Sequence, residues 1–360
     1  MRVALRSWLL LVVQGMTLIA HAAEPPAETT TKQPAKPAVT LLYDTLVDPC
    51  VVTAARATQA QPLMIAYQYC SPDSQKTGRI DVGAVLMCID QMTSGDPPEW
   101  GMLDFEYNFT DRMQKGLTPE AMTARDEMVK LIRAVRAAYP KTKWTYYGVP
   151  FLPYWMDGKS WTDASEEQKR VTMEACAKMY APLVAECDWV SPSIYPVYDP
   201  SMFKPYEQAG VREAGIAWRM AQVGFAKLLG RGKPVIPTIS PVWQPGGLAA
   251  SGTVVPPRQF VQDQVQPAIR AGAAGVAIWT SFGKLIDQKA NESTQVADAG
   301  EFPRKNLVKA LLDGREPSNW KDPAVAEAMR QAAARVVLRS LRDVRAFQDG
   351  RIPEENAPLW

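Results

Sequence analysis

A chain of 360 residues with a single histidine has few routes to general-base or metal chemistry. That histidine, His21, falls in an N-terminal stretch that reads as a removable leader, so the working chain is expected to hold none. A Ser-His-Asp triad, a Cys-His pair and any histidine metal site are thereby excluded, which leaves carboxylate, tyrosine, lysine or serine chemistry. Charge of one sign is lacking too: removing a leader that carries Arg2 and Arg6 leaves 38 basic residues against 38 acidic ones. The lysines and arginines are scattered over helix faces rather than gathered in a stripe, so nucleic acid is not an expected partner. There is no glycine-rich phosphate loop, and neither a cofactor nor a metal is expected. No apolar run reaches the ~20 residues of a membrane span, so none is expected once the leader is gone.

What is present at the N-terminus is a charged head, an apolar middle from Trp8 to Ala20, and the small-residue exit Ala20-His21-Ala22. This is the layout of a secretory signal over residues 1–22, and it implies a secreted or periplasmic protein. Residues 23–38 are rich in proline, threonine and alanine without aromatics and read as a flexible tether. Residues 39–360 then form one expected domain that ends in an amphipathic helix, Asp322 to Phe347. The five cysteines, Cys50, Cys70, Cys88, Cys176 and Cys187, leave one unpaired in an oxidising compartment, and spacing alone does not give the connectivity. A bridge between Cys176 and Cys187 is disfavoured, because eleven residues of helix hold them ~16 Å apart unless Pro182 breaks that helix.

From residue 39 onward strand and helix patterns alternate. Expected strands are Val39–Val47, Leu63–Tyr69, Gly101–Tyr107, Lys143–Val149, Trp189–Tyr195, Pro234–Ser240 and Gly275–Trp279, each apolar or β-branched and bounded by turn residues. Thr118-Pro119 starts a helix whose apolar face is Met128, Leu131, Ile132, Val135 and Ala138; Ser165 and Gln168 form a capping box; Gly230 and Gly272 are expected as left-handed helix stops. Repeated strand-helix units predict an α/β fold, a (β/α) TIM-like barrel of seven or eight mostly parallel strands. In such barrels the working residues gather at the carboxyl ends of the strands.

Two acids stand at one of those ends. In Gly101-Met102-Leu103-Asp104-Phe105-Glu106-Tyr107, strand alternation puts Asp104 and Glu106 on one face about 6.6 Å apart. Like charges that close favour one protonated acid beside one anion, which suits acid-catalysed bond cleavage. An ion pair with Lys143 or an arginine at the barrel mouth is the structural alternative. Aromatic residues follow other strands: Tyr147, then Tyr154, Trp155 and Trp161, and later Tyr195, Trp243 and Trp279. Flat rings beside a few carboxylates are the makings of a sugar site, where apolar C–H faces and hydroxyls must both be met. Strand-neighbour acids approach a bond from one side, so a retaining enzyme built this way finds its nucleophile elsewhere.

Four segments, in order, resemble the hyaluronidase family of glycoside hydrolases, the hydrolytic animal and venom type. Leu103-Asp104-Phe105-Glu106 is similar to its Asp-Trp-Glu strand, with Phe105 in place of tryptophan. Tyr146-Tyr147-Gly148-Val149-Pro150 and Ser191-Pro192-Ser193-Ile194-Tyr195 are similar to its aromatic-Tyr-Gly-Phe-Pro and Tyr-Pro-Ser-Ile-Tyr segments. Gly272-Ala273-Ala274-Gly275-Val276-Ala277-Ile278-Trp279 is similar to the segment that ends its barrel. The resemblance implies a substrate-assisted mechanism on an N-acetylhexosamine polysaccharide. In it Glu106 is the acid and then the base, Asp104 stabilises the charged intermediate, Tyr195 orients the acetamido group, and Trp279 walls its methyl. Tyr147, Tyr154, Trp155 and Trp243 join Trp279 as substrate-binding residues. A non-catalytic glycan-binding barrel and a lysozyme-like hydrolase of cell-wall glycan are the alternatives.

Overall fold

The structure, a computed structural model, describes residues 39–44, 55, 58–153, 159–195, 210–241, 255–279 and 323–353. The leader, the tether, Cys50, Tyr154, Trp155 and Trp243 lie outside the described residues. Six parallel strands are present: β1 (Thr40–Asp44), β2 (Gln61–Tyr67), β3 (Trp100–Asp104), β4 (Lys143–Tyr146), β5 (Thr238–Ile239) and β6 (Gly275–Ile278). They are ordered β4-β3-β2-β1-β6-β5. A seventh segment closes the ring. Ser191 bridges Tyr147 after β4, while Val190 and Ser193 bridge Val235 and Thr238 on the β5 side, in parallel. Backbone bonds from Val190 N to Pro234 O and from Ile236 N to Val190 O complete the junction, each 2.9 Å. The expected (β/α) barrel is therefore observed, with seven parallel segments among the described residues.

Closure sorts the side chains into two cores, because alternate residues on each strand must face in or out. Leu42, Leu63, Ile65, Tyr67, Trp100, Met102, Trp189, Ile236 and Ala277 fill the inside, with Tyr147 and Trp279 packed on them. The intervening residues, among them Leu41, Tyr43, Met64, Leu103, Trp144 and Ile278, face the surrounding helices. At the amino end of the barrel Trp100 and Trp189 meet edge to face, 5.6 Å between centroids, and Lys143 lies over Trp100 while pairing with Glu99. Lys143 thus serves the end opposite to the acids and is not their partner.

The helices are α1 (Val82–Thr93), α2 (Pro119–Ala138), α3 (Glu166–Glu186), α4 (Val211–Gly230) and α5 (Pro323–Gln348), with shorter turns between them. Thr118 caps α2 by accepting from Ala121 N, and Met128, Leu131, Ile132 and Val135 are buried as expected; Ala138 is exposed in the last turn. The Ser165–Gln168 capping box starts α3, which runs through Pro182, so Cys176 and Cys187 stay apart as free thiols. Cys70 and Cys88 form a disulfide. Gly272 is left-handed, but Gly230 is not: α4 continues through it and stops at Arg231 and Gly232, which carry the positive φ. Gly230 is needed instead for closeness, since a Cβ there would meet Val190 at 3.1 Å. Helix α5 buries Ala334, Val337, Leu341 and Val344, and its Arg345 donates to the carbonyls of Thr58, Gln59 and Val39, below β1 and β2. No described helix is long and apolar enough to cross a membrane.

The β1–β6 seam is tight at Gly275, where a Cβ would run into the Thr40 carbonyl oxygen. Gly275→Ala is expected to destabilise the barrel by about 1–3 kcal/mol through overpacking. Gly224→Ala, in helix α4 with open space around it, should instead stabilise by about 0.5–1 kcal/mol through backbone entropy. Urea unfolding midpoints of the two variants check both signs.

Candidate active site

Strand alternation carries the interior column upward to polar residues. Above Leu42 stands Asp44, above Ile65 stands Tyr67, and above Met102 stands Asp104, with Tyr67 and Asp104 paired in register across β2 and β3. Tyr147 follows β4, Ser193 and Tyr195 end the bridging segment, and Trp279 follows β6. The carboxyl end of the barrel is thus a ring of acids and phenols.

Glu106 corrects the sequence-based expectation. β3 ends at Asp104, and Glu106 sits in a turn where Phe109 N donates to Glu106 O at 3.0 Å and Tyr107 takes φ +46°. The cause is Phe105. It faces the helix layer and packs edge to face on Phe109, 5.7 Å between centroids, which pulls the chain off the sheet. The two carboxylates therefore do not share a strand face, although both belong to the carboxyl end of β3. The charges of both Glu106 and Asp104 act on the Tyr147 phenol.

The aromatic wall is continuous. Tyr195 stacks on Trp279, 5.4 Å apart and 12° from parallel, and Tyr147 lies 5.8 Å from Tyr195. The Tyr147 hydroxyl donates to Ser193 Oγ at 3.2 Å. Tyr67 donates to Asp44 Oδ2 at 3.2 Å and accepts from Trp279 Nε1 at 3.1 Å. Burial pushes Tyr67, Tyr147 and Tyr195 far above the ordinary phenol range; Asp44 adds to this at Tyr67, Glu106 at Tyr147 and the Tyr147 phenol at Tyr195. All three are neutral donors at any working pH. Glu106 and Trp279 are half-buried, while Tyr69 and Tyr107 beside them are 51% and 60% exposed, which gives this end a face toward solvent.

Of the residues expected from sequence, Asp104, Glu106, Tyr147, Tyr195 and Trp279 come together. Trp161 does not: it is buried in a separate cluster with Leu152, Trp218 and Phe225. Tyr154, Trp155 and Trp243 fall outside the described residues. Asp44, Tyr67, Tyr69 and Ser193 were not singled out by sequence. Asp44 carried the same signal as Asp104, an acid closing an apolar run.

No protein-family model and no curated protein matches the chain. Solved structures similar to it include bee venom hyaluronidase, with 13% identity, a TM-score of 0.48, and coverage of 81% of this chain and 99% of that one. An endo-β-1,4-mannanase from Thermotoga petrophila is 12% identical with a TM-score of 0.41, over 85% of this chain and 62% of that one. A GH18 chitinase from Pseudoalteromonas aurantia is 12% identical with a TM-score of 0.37, over 66% and 79%.

The buried phenols make a stability prediction with a definite sign. Folded Tyr67 and Tyr195 keep their protons above pH 10.0, the ordinary phenol value, where the unfolded chain releases them. Their contribution is complete below that pH and is lost as pH rises above it, by up to about 1.4 kcal/mol per pH unit for each phenol. Urea unfolding at pH 9 and pH 11 should show the loss, and Tyr195→Phe should reduce it.

Proposed function

We propose that this chain is a glycoside hydrolase that cleaves a β-linked, N-acetylhexosamine-containing polysaccharide by substrate-assisted, retaining catalysis. One observation carries the reading: two carboxylates stand at and just beyond the end of β3, at the carboxyl end of the barrel that also carries a stacked tyrosine-tryptophan wall. A ring pair of this kind covers the apolar face of a sugar, and the acids supply the proton chemistry.

In this mechanism the 2-acetamido oxygen of the bound sugar attacks the anomeric carbon while protonated Glu106 gives its proton to the departing glycosidic oxygen. The bond to the leaving sugar breaks, and a cyclic oxazolinium forms. Asp104, 8% exposed at the end of β3, holds a negative charge toward the positive ring nitrogen. Glu106, now a carboxylate, takes a proton from water as the water oxygen adds to the anomeric carbon. The acetamide is released and the acid regenerated. The Tyr195 hydroxyl orients the acetamido group, Trp279 covers its methyl, and Tyr147 contacts the bound sugar.

The leader-like N-terminus and the Cys70–Cys88 disulfide support export, with one catalytic barrel over residues 39–360 behind the tether. The presence of two acids at the carboxyl end of β3 favours turnover over the lectin-like alternative, since binding alone has no use for a proton donor.

Glu106→Gln should lower kcat by about 10²–10⁴ on a glycan fragment while leaving binding nearly unchanged. Fragments of glycosaminoglycan, chitin and peptidoglycan, assayed for product release and for binding, identify the substrate. Binding to one of them without product from any would establish the lectin-like reading. Cleavage of analogues whose acetamido group is replaced by hydroxyl would overturn substrate assistance.

A further inference from the structure

Asp44 and Tyr67 take no part in the chemistry outlined above, yet they are among the most buried polar groups at the mouth, 3% and 2% exposed. They join two distant parts of the chain. Trp279 Nε1–H donates to the Tyr67 oxygen at 3.1 Å, across 212 residues, and Tyr67 O–H donates to Asp44 Oδ2 at 3.2 Å. The chain of bonds runs one way only. An ionised carboxylate accepts and an indole nitrogen donates, so the phenol between them must give its single proton to Asp44 and receive from Trp279. We propose that Asp44 is a positioning residue that acts through Tyr67 to fix the ring of Trp279 against Tyr195.

Three geometric facts carry this. First, Asp44 and Tyr67 are set by the barrel itself: β1 and β2 pair in parallel, and Tyr67 lies in register with Asp104 on the next strand. Their atoms therefore form a rigid reference. Second, Trp279 is the first residue beyond β6; the bond from its N to Ile239 O, 3.0 Å, places its backbone but does not set its ring orientation. Third, the anchored ring lies 12° from parallel to Tyr195, a narrow slot rather than a loose edge contact. Without a hydrogen-bond acceptor at Tyr67, the half-buried indole is free to exchange this orientation for one that points its N–H to water.

The catalytic consequence rests on the proposed glycosidase reading. A nucleophile that belongs to the substrate must be aligned by the walls around it, and misalignment by a fraction of an ångström lowers the rate of the bond-breaking step rather than affinity. Asp44 would then tune kcat without touching the sugar.

The test has two arms. In protein labelled with 15N at tryptophan, the Trp279 indole N–H signal is assigned by its loss in Trp279→Phe. Tyr67→Phe and Asp44→Ala should shift that signal and speed its exchange with water about tenfold or more, whereas Asp44→Asn, which keeps an acceptor oxygen, should hold it near its wild-type position. Tyr139→Phe, remote from the mouth, should leave it alone. An unmoved Trp279 signal in Tyr67→Phe overturns the proposal, and that variant stands even if Asp44→Ala does not fold. In the second arm, Asp44→Ala should lower kcat about tenfold with KM within about twofold, with Asp44→Asn recovering most of the rate. A loss carried by KM alone overturns the positioning role. Failure of the wild-type chain to cleave any fragment sinks the glycosidase reading, and the NMR arm then decides the Asp44–Tyr67–Trp279 chain by itself.

Discussion

Closure of the parallel sheet governs everything else in this molecule. The short bridging segment around Val190–Ser193 supplies the hydrogen bonds that join β4 to β5, and without it the remaining strands would be an open, curled sheet with two edges. Once the ring is closed, inward and outward side chains are no longer interchangeable. A one-residue slip in any strand would send its tyrosines or acids into the helix layer and its large apolar residues into the mouth. The seam is held by polar bonds buried in the interior: Ser191 Oγ meets Thr238 Oγ1 at 2.8 Å, and Thr145 donates to the Trp189 carbonyl at 2.7 Å. Small hydroxyl-bearing residues fit there because the two large tryptophans already fill the lower layer.

The same inward column changes character with height. Tryptophan, leucine and isoleucine occupy its lower layers, hydroxyls its middle, and phenols with carboxylates its top. An acid placed so deep needs hydrogen-bond donors that do not bring large desolvation penalties of their own. A phenol is such a donor: at Tyr67 the apolar ring completes the interior packing and the single O–H points at Asp44. The shifts at Tyr67 and Tyr147 are the other side of that bargain, since a phenol beside a carboxylate in a buried site resists ionisation strongly.

Much of the architecture was legible because it rests on local rules. Apolar runs bounded by turn residues located all seven segments of the ring, and the caps of α2 and α3 followed from Thr118-Pro119 and from Ser165 with Gln168. The errors came where a side chain's destination decided the backbone. Alternation extends β3 to Tyr107, but Phe105 has a partner in Phe109, and the strand ends three residues earlier, at Asp104. Arg231 and Gly232, not Gly230, take the left-handed role after α4, and the sequence does not reveal how closely Val190 approaches Gly230. The aromatic residues divided in a way that no local pattern records: Trp279 joined the mouth, and Trp161 joined an outer cluster with Trp218. The pairing of Asp44 with Tyr67 is hidden from the sequence for a related reason. Their meaning comes from a partner more than 200 residues away, which only the pairing of β6 with β1 brings near.

A site built without histidine also has to solve the problem of direction. Imidazole can donate from one nitrogen and accept at the other, so it relays orientation through a network. Here a phenol does that work. Between a group that can only accept, Asp44, and one that can only donate, Trp279, Tyr67 has a single way to arrange its proton and its lone pair. Tyr147 is arranged by the same logic, spending its proton on Ser193 and leaving its oxygen turned toward its neighbours. Fixed dipoles of this sort need no reorganisation when charge develops beside them, which is the property a transition state rewards. The scarcity of histidine and the abundance of tyrosine at the strand ends are therefore two expressions of one design: the orientation of the site is set by phenols that keep their protons at any physiological pH.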